Sequence, residues 1–268
     1  MTAKTQLEEL SEMIFGTNDR SHSESDSKIK PTAQIMTRLD ELSTDELQMK
    51  SLFGIDAQES SITLCKDNLS KQEWDLVAKT LSTNPRLQFL TLKNLGLEEE
   101  GCRALEQIVS TNRSLQFLNI WACSNTIPTK PFKTLLTAIG NSTIITELAI
   151  MECQLEPSSW IAVADLLRQG QCALESLYLQ NSNVTPEACQ AIAQAVNSDK
   201  ATLTRLSVPA SIGTKGQLAL AKTLSHDKCS LTELYLNDNE MALESCLALS
   251  EAITKNKSLI SLGLEEVR

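Results

Sequence analysis

Aliphatic residues recur along this chain in pairs two positions apart, and the pairs themselves return at a nearly constant interval. They are Ile62/Leu64, Leu90/Leu92, Leu118/Ile120, Leu148/Ile150, Leu177/Leu179, Leu206/Val208, Leu234/Leu236 and Leu262/Leu264. The first members stand 28, 28, 30, 29, 29, 28 and 28 residues apart. Three positions upstream is a further aliphatic residue in every case but the first: Leu87, Leu115, Ile145, Leu174, Leu203, Leu231 and Leu259, with Glu59 in the first. Five positions after the pair another often follows, at Leu69, Leu97, Leu155, Val184 and Met241. The pattern is L-x-x-L-x-L-x-x-N/C-x-L, written eight times.

An alternation of period two over so few residues predicts short strands with one face buried. A strand this short has no core of its own, but copies stacked in parallel share one. Each must be followed by an element that returns the chain, and period-3.6 segments stand in the right places: "SKQEWDLVAKTL", "EEGCRALEQIV", "KPFKTLLTAI", "PSSWIAVADLL", "PEACQAIAQAV", "KGQLALAKTL" and "LESCLALSEAI". Helix starts are signalled by capping boxes Ser70…Glu73 and Thr214…Gln217, and by Thr185 before Pro186. Helices are wider than strands, so the stack curves into a horseshoe with the sheet inside. The fold class is α/β, a solenoid with a parallel concave sheet and convex helices. The turn position that favours Asn holds Asp67, Leu95, Cys123, Cys153, Ser182, Ser211, Asn239 and Val267. Leu95 and Val267 bring no hydrogen bond to the turn, so looser turns are expected there.

Residues 59–268 hold the repeats; residues 1–58 differ in character. "GTNDRSHSESDSKIK", residues 16–30, is polar and aperiodic and reads as a flexible linker. Leu7, Leu10 and Ile14 before it share a helical face, and "PTAQIMTRLDEL" and "STDELQMKSLFGI" after it predict two short helices, the second opened by Ser43…Glu46. Together they read as a cap over the first repeat, which solenoids require. At the other end the chain stops after the eighth strand. The repeat logic expects that edge to be truncated or covered by another molecule, self-association through it included.

The repeat length, the Cys or Asn option in the turn, and the run L-x-E-E-G-C-x-A-L…N-x-S-L at 97–115 resemble the ribonuclease-inhibitor-like leucine-rich repeats. Such repeats also occur in cytosolic immune receptors, tropomodulin-type proteins and some bacterial translocated effectors. The resemblance covers residues 60–268 and implies a horseshoe whose concave face binds other proteins. A bacterial effector engaging a host protein is one owner consistent with it. The substrate-recognition part of a larger enzyme, such as a ligase, is the alternative.

Composition narrows the function. A net charge of −10 opposes non-specific binding to nucleic acid and docking on anionic lipid. The N-terminal "MTAKTQLEELSEMIF" lacks the build of a secretory signal, and no apolar run reaches bilayer length. Eight scattered cysteines without a C-x-x-C read as reduced, mostly buried thiols, so a cytoplasmic setting is expected. His22 and His226 are the only histidines, and no phosphate-cradling glycine loop or nucleophile elbow is present. No enzyme activity, metal or cofactor is expected. Cys65, on the open side of the first strand beside Lys66, is the one thiol placed where an ammonium would activate it.

What remains is the concave surface. Both tyrosines, Tyr178 and Tyr235, and one of three tryptophans, Trp121, fall on strand positions that point into it, whereas Trp74 and Trp160 fall on helices and are expected to pack. Scarce aromatics on an open sheet suit interface anchors. The predicted partner-binding patch is Trp121, Met151, Tyr178 and Tyr235, rimmed by Lys93, Glu152, Asn181, Asn237 and Asp238.

Overall fold

The computed structural model describes residues 44–56, 58–123, 127–169 and 172–267. The expected linker, the helices before residue 44 and Ser43 of its capping box lie outside them. Strands β1 (Ser61–Cys65), β2 (Phe89–Lys93), β3 (Phe117–Trp121), β4 (Glu147–Met151), β5 (Ser176–Tyr178), β6 (Arg205–Ser207), β7 (Glu233–Tyr235) and β8 (Ser261–Gly263) form one parallel sheet in sequence order. Its register places Ile62, Leu90, Leu118, Leu148, Leu177, Leu206, Leu234 and Leu262 in one continuous row.

Helix α1 (Thr44–Phe53) precedes the sheet. Each strand but the last is followed by a helix: α2 (Lys71–Thr83), α3 (Glu99–Thr111), α4 (Thr129–Gly140), α5 (Pro157–Leu166), α6 (Pro186–Val196), α7 (Gly213–Leu224) and α8 (Leu243–Lys255). The helices pack neighbour on neighbour along one side of the sheet, and the aliphatic rows between sheet and helices are a single core. Trp74 and Trp160 are 2% and 0% exposed in that core, as their helical positions predict. Met49 of α1 is fully buried in it, with Phe53 and Ile55 packed alongside.

Two sets of polar groups hold the turns. Where helices end, Asn112 Nδ2 donates to Leu81 O and Asn84 O at 2.9 and 2.8 Å, while its Oδ1 accepts from the N–H of Ser114 and Leu115. Asn256 repeats this with Leu224, Ser258 and Leu259, which gives the N-x-S-L signature its physical meaning. Where strands end, Asn94, Ala122, Glu152, Asn181, Asp238 and Glu266 adopt left-handed backbone with φ between 52° and 61°. The N–H groups of Asn94, Ala122, Glu152 and Asp238 each donate to a carbonyl at or just beyond the end of the next repeat's strand.

Three expectations are corrected here. The turns at Leu95 and Val267 are built like the others, because Asn94 and Glu266 supply the same left-handed step and Leu95 is wholly buried in the core. The exceptions are the first turn, where Lys66 takes no positive φ, and the sixth. Pro209 is held in extended backbone, Ala210–Ile212 form a 3-10 turn, and Gly213 takes φ 57° instead. The capping box Thr214…Gln217 does not form; Gln217 is buried and donates to Glu240 O at 2.8 Å and to Asn239 Oδ1, tying α7 to the following repeat. The box Ser70…Glu73 and the cap Thr185 with Pro186 form as expected.

Candidate functional site

With all the helices between strands on one side, the other face of the sheet is open, and being the narrower layer it is the concave one. Alternation along β1–β4 gives three residues per strand on that face. The outer row after the second aliphatic is Cys65, Lys93, Trp121 and Met151 by register. The middle row is Thr63, Thr91, Asn119, Ala149, Tyr178, Ser207, Tyr235 and Gly263. The first row, absent from the predicted patch, is Ser61, Phe89, Phe117, Glu147, Ser176, Arg205, Glu233 and Ser261. Its signal is in the sequence: one more step of period two upstream of each middle-row residue, the position just before each pair's first aliphatic.

Lys93 and Trp121 are brought together, the ammonium lying 4.1 Å from the indole centroid. A cation on a ring face is held by the ring's quadrupole, and the pair is half-exposed. On the same face of these strands Phe89 and Phe117 meet edge to face with centroids 6.2 Å apart. Asn119, between them on β3, is 0% exposed, and neither its Oδ1 nor its Nδ2 has a hydrogen-bond partner.

Farther along, polar groups are tied to one another. Arg205 Nε donates to Ser176 Oγ at 2.6 Å and its Nη2 to Glu147 Oε1 at 3.2 Å. Burial raises the Glu147 carboxyl above its ordinary value, against the pull of Arg205 and with Glu175 adding to the rise. Tyr235 O–H donates to Glu233 Oε2 at 2.8 Å, and its ring lies against Gly263, where an added Cβ would come within 2.5 Å of it. Asn237 Oδ1 accepts from the N–H of Glu265 at 3.1 Å. The Ser207 hydroxyl, buried between the tyrosine strands, has no partner.

Of the predicted anchors, Trp121 and Tyr235 are half-exposed, but Met151 and Tyr178 are only 5% and 6% exposed. Strands under 5 Å apart leave a large side chain little room on the sheet, so its neighbours cover it. Glu152, Asn181 and Asp238 are exposed rim residues, all in left-handed turns. Lys66 does not share the row of Lys93; Cys65 does, while the Lys66 ammonium is paired with Glu73 and lies over Phe53.

The thiols offer little chemistry. All eight are free, and only Cys65 and Cys246 are exposed. Burial pushes Cys102 and Cys189 up to about 12, and the Cys123 proton is held tightly by a hydrogen bond to Cys153 and by burial. No group of metal-ligating side chains is found among the described residues, nor any helix long and apolar enough to cross a membrane.

Comparison with known proteins bears on the repeats. No protein-family profile matches the chain. It is 27% identical over 198 residues to "NACHT, LRR and PYD domains-containing protein 5" of Bos taurus, covering 72% of this chain and 17% of that protein. It is 28% identical over 190 residues to "NACHT, LRR and PYD domains-containing protein 3" of Homo sapiens, covering 70% and 18%. To the ribonuclease inhibitor of Mus musculus it is 21% identical over 246 residues, covering 81% of this chain and 54% of that one. The repeats are similar to the leucine-rich repeats of these proteins, and their fold is the α/β leucine-rich-repeat solenoid. The chain spans less than a fifth of the length of the two NACHT proteins and about half that of the inhibitor. In such repeats the strand and helix positions are occupied by the scaffold, so the three open-face rows are where one repeat protein differs chemically from another.

Proposed function

We propose that this leucine-rich-repeat protein is a non-enzymatic scaffold that binds a partner protein on the concave face of its sheet. The observation behind the reading is where the aromatics fall. Two tryptophans are consumed by the core, while Trp121 and Tyr235 stay half-exposed on the open sheet, with Lys93, Asn237 and the rim residues Glu152, Asn181 and Asp238 around them. Met151 and Tyr178 serve this face as its buried floor. Free thiols throughout suit a reducing compartment, so we place the protein in the cytoplasm. Since each relative is longer than the stretch matched, the same surface would serve equally as the recognition part of a larger assembly.

The test is affinity capture followed by direct binding measurements with each captured protein. The wild type is set against Trp121→Ala/Tyr235→Ala and against Lys133→Glu on the exposed convex side. Hot-spot anchors should weaken binding by about tenfold or more in the double variant, while the convex control stays unchanged. Equal binding by all three proteins would overturn the concave-face assignment.

A further inference from the structure

Two side chains at the β2–β3 end of the sheet lack the partners that their chemistry calls for. Asn119 is fully buried, with both amide atoms unbonded, between Thr91 and Ala149 across the strands and between Phe117 and Trp121 along its own. Lys93 rests on the Trp121 ring and has no carboxylate within ion-pair distance among the described residues. Yet the chain carries 34 acidic residues against 24 Lys and Arg, so an unpaired lysine half-sunk in the binding sheet is not for want of acids.

We propose that Lys93, Trp121 and Asn119 form a subsite for an acidic side chain carried on an extended segment of a partner protein. The proposal rests on the concave-face reading. In it, the partner's Asp or Glu carboxylate accepts from Lys93 Nζ, which trades the indole face for a stronger, charge-assisted bond. Release of the ammonium from the ring lets the half-exposed indole turn aside and opens the way to Asn119. A carboxamide offers one acceptor and two donors, the complement of a peptide group. Asn119 Oδ1 then accepts a partner main-chain N–H, and Nδ2 donates to a partner carbonyl. The apolar wall of Phe89 and Phe117 covers the flanking residue.

Charge defines how the segment lies. Glu152 follows the end of β4, two strands from Lys93 or roughly 10 Å across the sheet, and Glu147 begins β4 at the opposite end of the strand, farther off. A second acid reaching toward repeats four to seven would meet these carboxylates and Glu233, so the acid belongs at the β2–β3 end alone. A polyanion such as nucleic acid, which needs several cations in a row, is excluded by the same surroundings and by the net charge of −10.

The experiment pans a random-peptide library displayed on phage against the wild-type protein, then titrates selected synthetic peptides. The anisotropy of a fluorescent dye carried by the peptide is the readout, so that every variant, those at Trp121 included, is measured alike. Selected peptides should share one Asp or Glu, and replacing it by Asn or Gln should weaken binding about tenfold on the wild type and hardly at all on Lys93→Gln. Asn119→Leu should bind about tenfold more weakly while melting at a higher temperature, a combination that a merely structural asparagine would not give. Peptides that lack the acid, or whose acid matters equally on Lys93→Gln, overturn the subsite. If those same peptides still lose binding with Trp121→Ala/Tyr235→Ala, the concave-face reading survives; if they ignore that variant too, both fall. A selection that enriches nothing counts against the subsite.

Discussion

From β4 to β7 the open face of the sheet satisfies most of its own polar groups: Arg205 bonds Ser176 and Glu147, and Tyr235 bonds Glu233. From β2 to β3 the same face holds two phenylalanines edge to face, a lysine on an indole, and a buried asparagine with nothing to bond. Both regions lie on one sheet in continuous register, β2 and β3 running to five residues and β5–β7 to three, and side-chain chemistry sets them apart. A closed network spends its hydrogen bonds on holding a shape. A carboxamide buried without protein partners costs stability, about 1–3 kcal/mol for such a group, that an incoming ligand's hydrogen bonds would offset. The Ser207 hydroxyl, the exception within the closed region, has one hydrogen to satisfy against two for the amide. The two regions therefore divide the face into a fixed part and a receptive one.

Breaking the closed network should have the larger effect. Arg205→Ala strands the partly buried Glu147 carboxylate and removes the donor to Ser176. Loss of a partner in a fully buried pair costs 3–5 kcal/mol, but with the Arg205 and Glu147 side chains 34% and 23% exposed, water screens much of that. The expected loss is about 2 kcal/mol in urea denaturation, with partial recovery when Glu147→Gln is added. At the receptive end the sign reverses. Asn119→Leu replaces an unsatisfied amide with a side chain of similar volume and should raise stability by about 1 kcal/mol. A loss there would mean that Asn119 bonds something in the folded protein, and the contrast between the two regions would go with it.

The strands, their register and the helices were legible because two periods are superposed in the chain, one of two residues and one of 28–30. The first open-face row, with Phe89, Phe117, Glu147, Arg205 and Glu233, lies one residue before each aliphatic pair, and the pair alone does not show that every strand begins there, β1–β4 running to five residues and β6 and β7 starting at Arg205 and Glu233. Burial of Tyr178 and Met151 had no signal in the sequence, as it follows from crowding between neighbouring strands rather than from position within one. The sixth turn did announce itself. Pro209 stands where Lys93, Trp121 and Asn237 stand in other repeats, with fixed φ, and Gly213 four residues on provides the positive φ that Ala210 does not. Gln217 looked like a capping residue from its spacing alone, because Thr214…Gln217 fits the box; that it reaches the next repeat instead depends on a neighbour 22 residues away.

The smallest expected effect separates two carboxylates by pH. Glu73 is held down at about 2 by the Lys66 ammonium and by the Ser70 backbone and hydroxyl, so it contributes stability above the ordinary value of 4.5 that is lost as pH falls toward 2. Glu147 is displaced the other way, chiefly by burial. Its folded form prefers the proton, so its charge works against the fold at neutral pH, and that penalty fades as pH falls toward the ordinary value. Urea midpoints measured for wild type, Glu73→Gln and Glu147→Gln across the acid range should therefore diverge in opposite senses. Glu73→Gln costs about 0.5 kcal/mol at neutral pH and approaches the wild type as pH drops. Glu147→Gln loses whatever advantage it holds at neutral pH over the same descent. A Glu147→Gln curve parallel to the wild type would show that Glu147 is screened as well as a surface acid, and that the β4–β7 face is more open to water than its hydrogen bonds imply.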